Sequence, residues 1–343
     1  MLAVRRISRE DAVSYDRLAH GPWKSRTTTH RQAVDAHSSI FPDATQAAKT
    51  AFAPATDERT ATAYTRRLTH THDENFSVVS FLLPQHLRQD FCNVYAFCRI
   101  ADDLADEIPD REHAHQALDL LKQQAHACFD GRCQTALFLA LRSTIRKHDL
   151  PIQPFLDLID AFQQDQRVTR YESFDQLLDY CRRSANPVGR LVLYMCGYRD
   201  ERRQLLADKT CTALQLTNFW QDVRRDLLER DRIYIPRQSM QHFAVTEQQL
   251  RQSNCDPNYR RLIRFEVDRT DPLFTEGDSL LPLLSPAAAS QIALYGMGGR
   301  AVLHAIRRQN YDTLTRRPAL SAWQKTRLLF FVLARRLFPR GAP

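Results

Sequence analysis

Tight-turn chemistry is almost missing from this chain. It has 9 glycines in 343 residues, and Asp130-Gly131 is its one Asn-Gly or Asp-Gly dipeptide, so a fold built on many two-residue hairpins is excluded. Long apolar runs are also lacking. The longest near the C-terminus is Leu328 to Ala334, far below the ~20 residues that span a bilayer. Eight cysteines are present, but none forms a CxxC pair and no secretory leader precedes them. A zinc site or disulfide framework is therefore disfavoured, and the expectation is reduced thiols in a cytoplasmic protein, mostly buried on helices. A period of repeat-protein length is also lacking, which disfavours a solenoid.

What is present is helical and basic. The net charge of +8 and a pI near 9.2 suit an anionic partner. The basic residues are spread as pairs (Arg66-Arg67, Arg182-Arg183, Arg224-Arg225) without a zinc-finger, RNP or basic-zipper pattern, so no nucleic acid partner is expected. Three regions follow from composition. Residues 1–64 show no sustained apolar period and are expected to be a poorly ordered extension, removable to residue 60 with little effect. Residues 65–320 read as one all-α domain with breaks at Pro84, Pro109, Pro151/Pro154, Asn186-Pro187, Pro236, Pro257, Pro282/Pro286 and Pro318. Residues 321–343 form a basic amphipathic segment, which either lies on an anionic membrane surface or packs on its own domain.

Two stretches carry chemistry. In Phe91 to Glu107, helical spacing places Phe91, Tyr95, Arg99, Asp102 and Asp106 within one arc less than a right angle wide. Charge that continues an apolar stripe needs a partner there, because unpaired charge does not bury. Alone, this DxxxD could be a solvated helix end with Arg99 bridging to Asp102. In Ala213 to Pro236 the arrangement recurs, with Gln215, Asn218, Asp222 and Asp226 on one face. Two such helices facing each other across a central cavity offer only hard oxygen ligands, which favours Mg²⁺ shared with substrate phosphate over zinc. A bridging Mg²⁺ would assist departure of a diphosphate, and the cation left behind requires an aromatic, dry pocket. Candidates for that pocket are Phe76, Tyr95, Phe97, Tyr171, Tyr180, Phe219 and Trp220, of which only a few should serve it.

Over about residues 65 to 320 the chain resembles the squalene/phytoene synthase family. The likeness is carried by YAFCRIADDLADE, RYESFDQLLDYCRRSANPVGRL, LQLTNFWQDVRRD, RIYIP and GGRAVLHAIRRQNYDTLTRRP. It implies an isoprenoid synthase fold, Mg²⁺ as cofactor and a prenyl diphosphate substrate. By position it implies metal ligation by Asp102, Asp106, Asn218, Asp222 and Asp226. It implies diphosphate or substrate contacts from Arg99, Gln221, Arg232, Tyr234 and Phe76, and Tyr180 beside the reacting carbons, with Asp103 off the shared face. DENFSVVSFLLP, YCRRSANPVGRL and NFWQDV resemble the hydroxysqualene synthase branch. Two departures stand out: Asn75 replaces a usual Ser, and Gln221 replaces the Arg usually preceding the second-motif Asp. The second removes a diphosphate contact and favours rearrangement of presqualene diphosphate, with water giving hydroxysqualene, over joining of two prenyl diphosphates. The resemblance also implies hand-over to or from other hopanoid-pathway enzymes, and peripheral contact with the inner membrane surface. The alternatives are presqualene diphosphate or phytoene synthase activity, or a non-catalytic relative. The glycines of Tyr295 to Gly299 follow no strand and are expected to serve close helix packing, not a nicotinamide site. His70/His72 and His113/His115 alternate by two and are expected at the surface.

Overall fold

The computed structural model describes residues 46–55, 57–72 and 84–321. Phe76, Asn75 and the C-terminal amphipathic segment lie outside these residues. The described residues form α1 (Gln46–Ala51), α2 (Glu58–His72), α3 (Arg88–Asp106), α4 (Arg111–Phe129), α5 (Ala136–His148), α6 (Gln153–Asp165), α7 (Phe174–Ser184), α8 (Asn186–Met195), α9 (Glu201–Gln221), α10 (Val223–Arg230), α11 (Arg237–His242), α12 (Glu247–Arg251), α13 (Pro257–Asp278) and α14 (Pro286–Arg308). The fold is all-α. No helix among these residues is long and apolar enough to cross a membrane.

Helix starts follow local chemistry. Asp110, Ser173, Asp200, Thr246, Asp256 and Ser285 each accept an amide hydrogen bond from the first turn of their helix, satisfying a donor that has no intrahelical partner. Proline stands at the first turn of α6, α8, α13 and α14, where its missing N–H costs nothing. The prolines expected to break the chain therefore mark helix boundaries.

The core is built in two halves. One gathers apolar residues of α1 to α6 and α8, with α3 (Phe91, Val94, Tyr95, Phe97, Ile100) running through it. The other gathers α7 and α9 to α14 around Leu216, Phe219 and Trp220 of α9. α8 bridges them, since Val188, Leu191 and Val192 belong to the first half while α8 packs along α9. From Thr210 to Gln221 α9 is covered on nearly every side, the condition of a central helix, while its first turns around Glu201, Arg202 and Leu205 are exposed.

The expected boundary at residue 64 needs correction. Ala48, Ala51, Phe52, Ala61 and Tyr64 are buried, and α2 packs on α3 and α5. Thr65 donates to Asn93 (2.6 Å), and Arg66 bonds Gln89 (2.7 Å). The buried face of residues 46–64 is made largely of alanines, which carry little hydrophobic signal.

Close packing is concentrated on α9. A Cβ at Gly189 of α8 would lie 2.5 Å from Cys211 Sγ; at Gly277 of α13, 3.0 Å from the Thr210 amide nitrogen; at Gly299 of α14, 2.8 Å from Leu214 Cδ2. Three helices thus rest on one stretch of α9 through glycines. The packing role expected of Tyr295 to Gly299 is met by Gly299, whereas a Cβ at Gly298 would meet open space.

Candidate functional site

The first motif is buried and ion-paired. Arg99 is 4% exposed; its guanidinium pairs with Asp103 and lies 3.5 Å from Asp102. Burial alone would lower its pKa, but Asp102 and then Asp103 outweigh this and hold it above the usual value. Asp103, placed off the motif face by its spacing, is thus the carboxylate that fixes Arg99. Asp106 at the end of α3 accepts from Arg230 Nε (2.9 Å) and Arg232 Nη1 (2.8 Å). These arginines follow the second motif, so the two motif segments are joined through Asp106.

The second motif does not lie on a single helix. α9 ends at Gln221, and Asp222 takes φ −106° and ψ 16° before α10 begins. Hydrogen bonds from Asp222 N to Asn218 O (2.9 Å) and from Asp226 N to Asp222 O (2.8 Å) carry the register across the junction. Asn218, Asp222 and Asp226 therefore stay one turn apart. Asp222 is 2% exposed and pairs with Arg317, whose Nη2 lies 3.2 Å from Oδ2. Asp226 is also buried, 3.9 Å from Arg230 Nη1. The Gln221 amide donates to the Pro318 carbonyl.

Behind the motifs stands an aromatic box. Phe219 and Tyr234 stack face to face at 3.8 Å; Tyr234 also lies 5.7 Å from Tyr171 and 5.9 Å from Tyr180. At its centre is Asp165, the last residue of α6, 2% exposed. It accepts from Tyr180 Oη at 2.7 Å and Tyr234 Oη at 3.5 Å, and lies 3.7 Å from Arg232. Burial, then the Asp165 charge, drive the Tyr171 pKa upward, so its hydroxyl stays protonated. Of the other aromatic candidates, Phe97 packs edge-on to Phe138 and Phe155 in the first core. Trp220 packs edge-on to Phe219 and bonds Thr270, and Tyr95 is fully buried on α3.

Arg170 holds the segment that carries Arg232 and Tyr234. It bonds Glu247 (2.6 Å) and Asp231 (3.1 Å), while Ile233 N donates to Thr169 O at 2.9 Å. An apolar cavity of about 50 Å³ lies between α8, α9 and α14, lined by Val188, Val192, Cys211, Leu214, Ile292 and Tyr295 among others.

The profile of the squalene/phytoene synthase family matches residues 69–324. The chain belongs to that family. It is 47% identical to the solved squalene synthase HpnC from Alicyclobacillus acidocaldarius, with a TM-score of 0.71, over 74% of this chain and 96% of that one. It is 36% identical to a hydroxysqualene synthase of Zymomonas mobilis over 59% of this chain and 67% of that protein. It is 32% identical to a phytoene synthase of Thermus thermophilus over 81% and 95% respectively.

For a squalene/phytoene synthase, the donor chemistry fits Mg²⁺. Asp102, Asp106, Asp222, Asp226 and Asn218 offer side-chain oxygens, and all four carboxylates lie within ion-pair distance of a guanidinium group. Among the described residues no three carboxylate, imidazole or thiolate side chains converge as a metal cluster. Sequence reasoning did not single out Asp165, Arg230, Arg317 or Arg170. Arg170 and Arg317 stand inside the quoted RY and RRP motifs; Asp165 carries no local signature.

Proposed function

We propose that this chain is a hydroxysqualene synthase, converting presqualene diphosphate and water into hydroxysqualene and diphosphate with Mg²⁺. The observation that carries this reading is Gln221. It is neutral, buried and bonded to the Pro318 carbonyl, where the resemblance leads one to expect a second-motif arginine, so cationic help for holding two diphosphates together is reduced. The hydroxysqualene synthase relative supports the same branch.

Arg99, Arg230, Arg232 and Arg317 supply guanidinium groups that can bind the diphosphate and follow its charge as the carbon–oxygen bond breaks. Mg²⁺, when bound, adds Lewis-acid neutralisation of the departing group. The faces of Phe219, Tyr234 and Tyr180 stabilise the carbocation, and the Asp165 carboxylate behind two of these rings adds negative potential. Burial of the box keeps bulk water away until rearrangement is complete, and a single water then closes the reaction as the alcohol while its proton leaves.

The test is incubation with presqualene diphosphate and Mg²⁺ in ¹⁸O-labelled water without nicotinamide. Labelled hydroxysqualene is expected, with little turnover of farnesyl diphosphate alone. Unlabelled product, or comparable turnover of farnesyl diphosphate, overturns the assignment in favour of a condensing synthase, the activity named for the Thermus relative.

A further inference from the structure

Away from the site, α4 and α5 are joined by a short turn with a cysteine on each side. Cys128 is in the last turn of α4 and buried; Cys133 follows Gly131, whose φ is +84°, and is half-buried. Their sulfurs are 2.9 Å apart. A disulfide requires about 2.05 Å, so bond formation asks for a sulfur movement of under ~1 Å and no opening of the turn. The same turn carries a clasp. Ala55 N donates to Gln134 O (2.9 Å) and Ala136 N to Ala53 O (3.1 Å), which ties the link between α1 and α2 to the residues just after Cys133.

We propose that Cys128 and Cys133 are a reversible dithiol–disulfide switch that locks this turn and, through it, the link at residues 53–55. The two thiols are unlike. The hydrogen bond with Cys128 lowers the pKa of Cys133, helped by Arg142 and Arg146 of α5, whereas the hydrogen bond with Cys133 and then burial raise that of Cys128. Cys133, half-buried where Cys128 is buried, is the thiol that an oxidant reaches first, and Cys128 resolves it. With hydrogen peroxide, the Cys133 thiolate attacks one peroxide oxygen and expels hydroxide, leaving a sulfenic acid. The Cys128 sulfur then attacks the sulfenic sulfur. Its proton leaves with the departing hydroxyl as water, and the Cys128–Cys133 bond forms. A thiol reductant returns both groups to the thiol state.

Trypsin cuts after Arg132, between the two cysteines, so the disulfide is read as a linked pair of peptides. The full chain treated with low equivalents of peroxide is expected to yield that pair, reversibly with dithiothreitol, and to show slower amide exchange at Ala55 and Ala136. The Cys133→Ser variant should give no linked pair, leave Cys128 unmodified at the same dose, and keep wild-type turnover. Both thiols remaining alkylatable, Cys133 passing to sulfinate without linkage, or linkage with unchanged exchange at Ala55 and Ala136 would each overturn the proposal.

Discussion

Replacing Asp165 by asparagine keeps the size of the side chain and removes its charge. In the wild-type protein the carboxylate accepts from Tyr180 at 2.7 Å and faces Arg232 at 3.7 Å. A hydrogen bond to a charged acceptor contributes about 1.5–3 kcal/mol against about 0.5–1.5 for a neutral one, so the Tyr180 bond weakens by about 1 kcal/mol. The attraction to Arg232 is ~4 kcal/mol at an effective dielectric near 20, and desolvation cancels half of it or more. Together these give about 3 kcal/mol at the site, or a rate lower by roughly 10²-fold if felt in the transition state. The fold should tolerate the change, because Arg232 keeps Asp106 at 2.8 Å and a buried charge is removed. The assay is kcat on presqualene diphosphate beside a thermal melt. A kcat within about threefold of wild type, with an unchanged melt, would refute a role for Asp165 behind the aromatic box.

Asp222→Asn should lower kcat by at least ~10²-fold and EDTA should abolish turnover; activity that survives either treatment sinks the magnesium reading. Gly277→Ala forces a methyl against Thr210 and should cost about 1–3 kcal/mol, read as a lower midpoint in urea; an unchanged midpoint would show that α13 can yield. Hydrogen bonds from Arg251 and then Arg170 hold Asp231 below its ordinary 3.8, and Arg170 holds Glu247 below its ordinary 4.5. Carboxyls depressed in the folded state stabilise it above those values and lose that contribution as pH falls through the folded pKa. The segment 231–247 should therefore loosen by hydrogen exchange below about pH 4, and removing Arg170 and Arg251 together should abolish most of that pH dependence; a flat profile in the wild type contradicts the assignment. Deleting residues 1–56 uncovers the site filled by Phe52, which is 1% exposed, and should cost about 3 kcal/mol or more. A melting temperature equal to that of the full chain would show that α1 contributes nothing.

Helical character, the proline boundaries and both aspartate motifs were legible because they are local: apolar residues recur every three or four positions, and carboxylates four apart fall on one face. The partners of those carboxylates were not. Arg317 reaches Asp222 across 95 positions and Arg232 reaches Asp106 across 126, and no spacing rule connects residues so far apart. Asp165 ends α6 among glutamines and differs from any solvated helix end only through what folds over it. The break at Asp222 lacks glycine and proline, so a continuous helix was the natural expectation. Residues 46–55 escaped notice because alanine contributes little to an apolar period even when fully covered.

The three glycine contacts on α9 bear on how the enzyme could be re-engineered. Glycine has no side chain to repack, so on the side of α8, α13 and α14 these contacts are set by backbone position. Thr210, Cys211 and Leu214 take these contacts and also line the apolar cavity. Widening the cavity from α9 would therefore unseat the helix that carries Asn218 and leads into Asp222. Changes at Val192 of α8 or Ile292 of α14 avoid that coupling, and they are where the cavity can be reshaped without moving α9.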